Sequence, residues 1–319
     1  MEFNPKVVDI AEKIRDMTIR GAGKIARAAA ECLIIVARES KARTSDEFWR
    51  ELIETARFVN STRPTAVSLP NALRYVLIRT YKGYVEGNSV DDLREIVIMS
   101  GEEFIKNSLA AVERIGEIGS RRVSDGDVIL THCHSTAALN ILLHAHKQGK
   151  RFKVFSTETR PKFQGRITSR ILAENGIPVT LIVDSAARFV MDKVDKVVVG
   201  SDAIAANGAV VNKIGTSQIA LAAYEARVRV MVAAETYKFS PETLIGRLIK
   251  IELRPETEVV DKEYTEKYGV SVLNPAFDIT PPEYVDIIVT EKGIIPPQAA
   301  ILVLRREFGW FTSLSKKLL

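Results

Sequence analysis

Apolar side chains recur at spacings of three and four from Pro5 to about Ile118. This periodicity predicts helices over Val7 to Met17, Ile25 to Ala37, Phe48 to Phe58, Ala72 to Tyr81 and Leu93 to Ile115. Gly, Pro and Asn interrupt it at Arg20-Gly-Ala-Gly23, Ser61-Thr-Arg-Pro-Thr65 and Glu86-Gly-Asn-Ser-Val90, where Ser or Thr can cap the helix that follows. After Val123-Ser-Asp-Gly-Asp127 short apolar runs alternate with helical stretches. Candidate strands are Val128 to Thr131, Phe152 to Ser156, Val179 to Val183, Lys196 to Val199, Val228 to Ala233 and Val285 to Thr290. The pattern therefore predicts an α/β chain: a helical domain over 1–120, then a parallel doubly wound sheet domain over 121–319.

Such sheets bind ligands beyond the carboxyl ends of their strands. Five polar, small-residue segments fall there: Thr131 to Ala137, Ser156 to Phe163, Asp184 to Ala187, Gly200 to Asp202 and Ala234 to Lys238. Ser135 and Thr136 open a helix after Cys133, so their hydroxyls and free N–H groups can receive a phosphate, or serve only as an ordinary cap. Arg20-Gly-Ala-Gly23 has the same two readings, anion cradle or packing turn, and is too short for a standard phosphate loop. Thr62-Arg63-Pro64 and Thr159-Arg160-Pro161 restrict an arginine before a proline, as a rigid anion donor or an exposed turn residue. Lys213, in Asn212-Lys-Ile-Gly215, and Lys238 are further candidate cations.

Cys133 lies between two histidines, and His132, His134, His144 and His146 all fall in one window. Strand alternation would point both neighbouring imidazoles away from the thiol. The other two lie roughly 15 Å along the helix, so metal ligation is not expected. A thiol at a helix entrance reads instead as a reactive cysteine with a lowered pKa, or as an inert strand-end thiol. Asp202, after an apolar strand and a glycine, can keep its proton and act as an acid, or cap a turn.

Composition narrows the partners. The 319 residues are 46% hydrophobic and 27% charged, with a net charge of +5 spread along the chain. No basic tract with interleaved aromatics marks a nucleic-acid surface, so an acidic small molecule is the expected ligand. No apolar run approaches the roughly 18–20 residues of a membrane helix and no leader pattern precedes one, so a cytoplasmic location is expected. Cys32 and Cys133 sit in unlike contexts, a helix interior and a strand-end turn, which argues against a disulfide. The basic segment Ser313 to Leu319 reads as a frayed terminus.

Arg20-Gly-Ala-Gly23, Thr131-His-Cys-His134, Gly200-Ser-Asp202, Asn207-Gly208, Asn212-Lys-Ile-Gly215 and Asn274-Pro-Ala-Phe-Asp-Ile-Thr-Pro-Pro282 together resemble the sugar-1-phosphate aldose–ketose isomerase family. That family also contains the regulatory subunits of the eukaryotic translation-initiation exchange factor. The resemblance runs from the first Gly-rich turn to Gly293-Ile-Ile-Pro296. Within it, Thr62 to Tyr75 and Ala234-Glu-Thr-Tyr-Lys-Phe239 are most similar to archaeal members that convert ribose 1,5-bisphosphate to ribulose 1,5-bisphosphate during nucleoside monophosphate (AMP) breakdown.

The resemblance implies a Rossmann-like second domain and a homo-oligomer, dimer-based and up to a hexamer. It implies no metal or redox cofactor, and AMP as an activator. It places the catalytic pair on Cys133, as base, and Asp202, as acid. Phosphate and sugar contacts fall on Arg20, Gly21, Ala22, Gly23, Arg63, Ser135, Thr136, Ala137, Asn212, Lys213 and Lys238. The chain departs from the family pattern after His134, where Thr136 replaces a lysine and removes one cation. Two other family roles stand beside the bisphosphate reading. A methylthioribose-1-phosphate isomerase needs one phosphate site and an apolar pocket, and a non-catalytic translation-factor subunit needs neither Cys133 nor Asp202.

Overall fold

The computed structural model describes residues 3–63 and 65–308. Pro64 of the Thr62-Arg63-Pro64 turn and the basic segment after Ser313 lie outside the described residues. These residues group into two compact units, one running to Ala110 and taking in Arg305–Phe308, the other Ala111–Leu304. The expected break after residue 120 coincides with the end of a long helix, while the two units divide inside that helix. None of the described helices is long and apolar enough to cross a membrane.

All five expected helices form in the first region: α1 (Pro5–Arg15), α2 (Ala22–Glu39), α3 (Ser45–Thr62), α4 (Ser68–Val85) and α5 (Val90–Ser120). Their starts have local causes. Asn4 accepts from Lys6 N and Pro5 supplies a preset φ at the first position of α1. Thr44 and Glu47 form a reciprocal capping box at α3. Gly21, at φ +89°, lets the chain enter α2 with a backbone that L side chains avoid. The buried face is apolar: Ile25, Leu33, Phe48, Leu52, Leu69, Leu73 and Leu77 are essentially inaccessible.

The second unit is built on a seven-stranded sheet. Its strands are β1 (Val128–Thr131), β2 (Lys153–Thr157), β3 (Val179–Ile182), β4 (Lys196–Val199), β7 (Arg229–Ala233), β9 (Ile287–Thr290) and β10 (Gly293–Ile295), in the order β10-β9-β7-β4-β1-β2-β3. All neighbours are parallel except β9 and β10. The expected strands match within two residues, because each is a short apolar run flanked by polar turns. Helices α6 (Thr136–Lys147), α7 (Gln164–Glu174), α8 (Ala187–Val190) and α9 (Thr216–Ala226) fill the connections, and α10 (Lys262–Tyr268) and α11 (Ala300–Phe308) follow.

A feature absent from the sequence reading is a second, antiparallel sheet of β5 (Ala203–Ile204), β6 (Val210–Lys213) and β8 (Phe277–Thr280). Its strands have two to four residues, too few for a period to emerge.

The order of the large sheet reverses between β1 and β4, which opens the crevice beyond their carboxyl ends. The amino ends are pinned by aspartates. Asp127 receives two contacts from Lys196 Nζ at 2.6 and 2.7 Å, Asp195 accepts from Val128 N at 2.8 Å, and Asp286 accepts from Val230 N at 2.7 Å. At the carboxyl ends the packing is tighter still. A Cβ on Gly200 would lie 2.2 Å from Ser135 Oγ, and one on Gly165 would lie 1.7 Å from the Thr157 carbonyl oxygen.

Gly165 therefore sets how closely α7 seats on β2. Replacing it with alanine drives a methyl group into fixed backbone, with an expected loss of about 2 kcal/mol or more. Urea unfolding of Gly165→Ala against the parent protein measures it, and an unchanged midpoint would contradict the close seating.

Candidate active site

The polypeptide leaves β1 at Thr131 and turns sharply: Cys133 takes φ +66°, a left-handed conformation uncommon for a non-glycine residue. This corrects the expected strand alternation. His132 and His134 do not share a face but are drawn to different partners. His132 Nδ1 meets Thr157 Oγ1 at 2.6 Å and its Nε2 meets the Ile214 carbonyl at 2.9 Å. A carbonyl only accepts, so Nε2 carries the proton and the Thr157 hydroxyl donates to Nδ1. Burial lowers the His132 pKa, opposed by the Ile214 bond and by Asp184, so the ring stays neutral. His134 Nδ1 meets Thr168 Oγ1 at 2.9 Å, and that hydroxyl donates to the Cys133 carbonyl at 2.8 Å.

The Cys133 amide donates to Thr159 Oγ1 at 2.9 Å. Thr159 N and Arg160 N in turn donate to the two Asp184 carboxylate oxygens at 2.7 and 2.6 Å. The turn that carries the thiol is thus held at both its N–H and its C=O by buried threonines, and Thr159 is itself held by a carboxylate from the end of β3.

Burial pushes the Cys133 thiol up to about 11, with Lys213 and a bond from the His134 amide pulling it down and Asp202 and Asp184 pushing it further up. The expected lowered pKa is therefore corrected. Desolvation of the thiolate outweighs the single cation facing it, and two carboxylates act against it. The same interactions mean that the charges of Lys213, Asp202 and Asp184 face one sulfur. Asp202 follows β4 and its amide donates to the Val211 carbonyl at 2.9 Å, which ties it to the small sheet.

Ser135 caps α6, accepting from Ala138 N at 3.3 Å. Thr136 is exposed in the first turn and Ala137 is buried beneath it. Thr136 N and Ala137 N stand where a helix has no internal acceptor to offer. Asn212 is buried and donates to Thr216 Oγ1 at 3.0 Å, so part of its capacity is spent inside the β6–α9 turn. Lys213 reaches over the Phe277 ring, 5.0 Å from its centroid.

Lys238 departs most from a free anion donor. It is buried, and its Nζ lies 2.6 Å from Glu235 Oε2. Arg160 gives Nη2 to the Val259 carbonyl at 3.1 Å. On the helical unit, Arg20 is exposed just before α2, Gly21, Ala22 and Gly23 form its entrance, and Arg63 is buried at the end of α3. Sequence reasoning missed Thr168, which carries no motif, the part played by Thr159, which it named only as the residue before Arg160-Pro161, and the charge that Asp184 turns toward the thiol. Only the place of Asp184 at a strand end signalled it.

Among the described residues no group of three or more His, Cys, Asp or Glu side chains is arranged to hold a metal ion.

Residues 18–297 match the model of the initiation factor 2 subunit family. The chain is 59% identical over 307 residues, 96% of this chain and 95% of the other, to the ribose 1,5-bisphosphate isomerase of Pyrococcus furiosus. Its fold resembles the crystal structure of the Pyrococcus horikoshii translation initiation factor eIF-2B, with a TM-score of 0.79, 30% identity, and 94% and 100% of the two chains covered. It also resembles the 5-methylthioribose 1-phosphate isomerase of the same organism, with a TM-score of 0.74, 31% identity, and 95% and 87% covered.

A thiol titrating near 11 has a measurable signature. Iodoacetamide labelling of Cys133, followed by peptide mass spectrometry, should accelerate on the order of tenfold per pH unit from pH 7 to 10. Cys32, inaccessible and pushed up to about 12 by burial, should stay unlabelled. A labelling rate for Cys133 that levels off below pH 8 would show a thiolate already formed.

Proposed function

Since the chain belongs to the initiation factor 2 subunit family and is an isomerase, we propose that it converts ribose 1,5-bisphosphate to ribulose 1,5-bisphosphate, with Asp202 as acid and Cys133 as hydrogen acceptor at C2. The observation that carries this reading is the convergence of the Lys213, Asp202 and Asp184 charges on the Cys133 sulfur at the switch point of a parallel sheet. A binding module needs anion contacts there but no thiol opposite a carboxyl group.

The chemistry follows from the substrate. With phosphate on O1, the sugar ring cannot open as a free hemiacetal does. Asp202 gives its proton to the ring oxygen as the bond from C1 breaks. Cys133, as thiolate once its own proton has passed to solvent, takes the proton from C2, leaving an enol phosphate. That proton returns to C1 while the C2 hydroxyl proton passes back to Asp202, so both groups end as they began.

Because the resting thiol is protonated, a second route is favoured by the same observation: the C2 hydrogen passes to C1 as hydride while the C2 hydroxyl proton passes to the Asp202 carboxylate, so no base is needed for the C2–H bond. Lys213, Ser135, Thr136, Ala137 and Asn212 are the proposed anion and sugar contacts on the sheet unit. Arg20, Gly21, Ala22, Gly23 and Arg63 are proposed on the family resemblance alone. Lys238 serves only if its pairing with Glu235 is shared with the ligand. The same reading includes a cytoplasmic, dimer-based homo-oligomer up to a hexamer, a role in AMP degradation, AMP as activator, and no metal or redox cofactor.

Purified protein incubated with the α anomer of ribose 1,5-bisphosphate and followed by phosphorus NMR should form ribulose 1,5-bisphosphate. Cys133→Ser and Asp202→Asn should each lose about 10²- to 10⁴-fold in kcat. Lys213→Ala should raise KM by roughly tenfold or more. Folded parent protein that leaves the bisphosphate untouched, with or without AMP, would overturn the assignment. Substrate deuterated at C2 separates the routes, because hydride passage keeps the label on C1 and proton transfer dilutes it with solvent hydrogen.

A further inference from the structure

Asp278 lies on β8, opposite Asn212 of β6, and has no part in the chemistry above. Its Oδ2 accepts from Gly215 N at 2.7 Å and from Ser217 N at 3.1 Å, so a carboxylate from another strand caps α9. The amino end of α9 is thereby occupied by the protein itself. The other oxygen, Oδ1, is buried without a hydrogen-bond partner. Burying an acceptor this way works against stability, a cost that calls for an explanation in what the carboxylate enforces.

What it enforces can be traced. Gly215 stands at φ +101°, and a Cβ there would lie 3.2 Å from His132 Cε1. The preceding carbonyl, Ile214, receives His132 Nε2–H. His132 Nδ1 accepts from Thr157, whose Oγ1 lies 3.4 Å from Thr159 Oγ1, which accepts from the Cys133 amide. A continuous run of polar contacts thus joins the Asp278 carboxylate to the backbone of Cys133, and the same turn begins with Lys213.

We infer that Asp278 is a positioning residue whose ionised carboxylate clamps the β6–α9 turn and so holds His132, the Cys133 loop and Lys213 in register for turnover. The inference rests on the isomerase reading for its kinetic consequences. Burial pushes the Asp278 carboxyl up to about 6, against the two amide bonds and Lys213. Lys213 on β6 is the charged side chain facing it; the first turn of α9 carries none, and β8 holds no other ionisable residue.

The sign of the linkage is unusual for a capping residue. The folded value lies above the ordinary 3.8, so the contribution of Asp278 to stability is complete below about pH 4 and is lost as pH rises through 6. A residue kept only as a structural cap would lose stability and activity together when replaced. Here the neutral isostere keeps an oxygen for both amides and removes the buried charge, so stability and activity should move in opposite directions.

The test is Asp278→Asn beside the parent protein. At pH 8 the variant should melt higher, with the gap closing toward pH 4, while its kcat falls about tenfold, as expected when a charge-assisted clamp becomes a neutral one. In the parent, kcat at saturating substrate should fall as pH drops through 6; saturation removes ionisation of the free sugar phosphate from the profile. In the variant that inflection near pH 6 should be absent. Independently of turnover, the Gly215 and Ser217 amide resonances of the parent should titrate near pH 6 and those of the variant should not.

Unchanged kcat at pH 8, a surviving inflection near 6, a lowered melting point, or silent parent amides would each overturn the inference. If the parent itself does not turn over the bisphosphate, the isomerase reading fails, while the melting and amide titrations still decide whether Asp278 clamps the turn.

Discussion

The neutral imidazole of His132 is the constraint on which the site depends. It fills the space between the end of the large parallel sheet and the turn that leaves the small antiparallel one, with the Thr157 hydroxyl at one nitrogen and the Ile214 carbonyl at the other. Removing either bond would strand a buried polar group at a cost of about 1–3 kcal/mol. The ring also lies against Gly215, where a side chain would be strained by the backbone and tight against the imidazole. The two sheets meet through a residue that can be neither charged cheaply nor enlarged, and the Cys133 turn is built from the next residue onward.

Around that joint the field is set by pairings. Asp184 is drawn toward the thiol because its carboxylate is already holding the Thr159 and Arg160 amides. Lys238 is taken by Glu235, so Lys213 stands as the cation whose charge pulls the thiol pKa down. A protonated sulfur beside carboxylates is a poor resting nucleophile and must lose its proton before it can act as a base. The chemistry proposed for the chain therefore starts from a protonated thiol set among the charges of Lys213, Asp202 and Asp184.

The helices and the six parallel strands were legible because each is a contiguous stretch whose burial is written in its own period. The crevice was legible for a related reason: small and polar residues gather at the ends of apolar runs, and a doubly wound sheet has one place to put them. The small sheet was hidden. Val210–Lys213 pairs with Phe277–Thr280 across more than sixty residues, and neither segment is long enough to announce itself. The thiol pKa was misjudged because the helix entrance and the neighbouring imidazoles are visible in sequence, whereas the desolvation that outweighs them belongs to the packed state.

By itself the sequence determined which stretches become helix or strand, where the strands end, and which side chains are available there, since these depend on local period, turn residues and chemical type. Only the tertiary structure decided which of those side chains share a field: that Lys213 faces the thiol while Lys238 pairs with Glu235, that His132 bridges two sheets, and that Asp278 closes the end of α9. Charge, hydrogen bonding and burial act through space. Their strength depends on distances and on excluded water that exist only once segments remote in the chain have packed together.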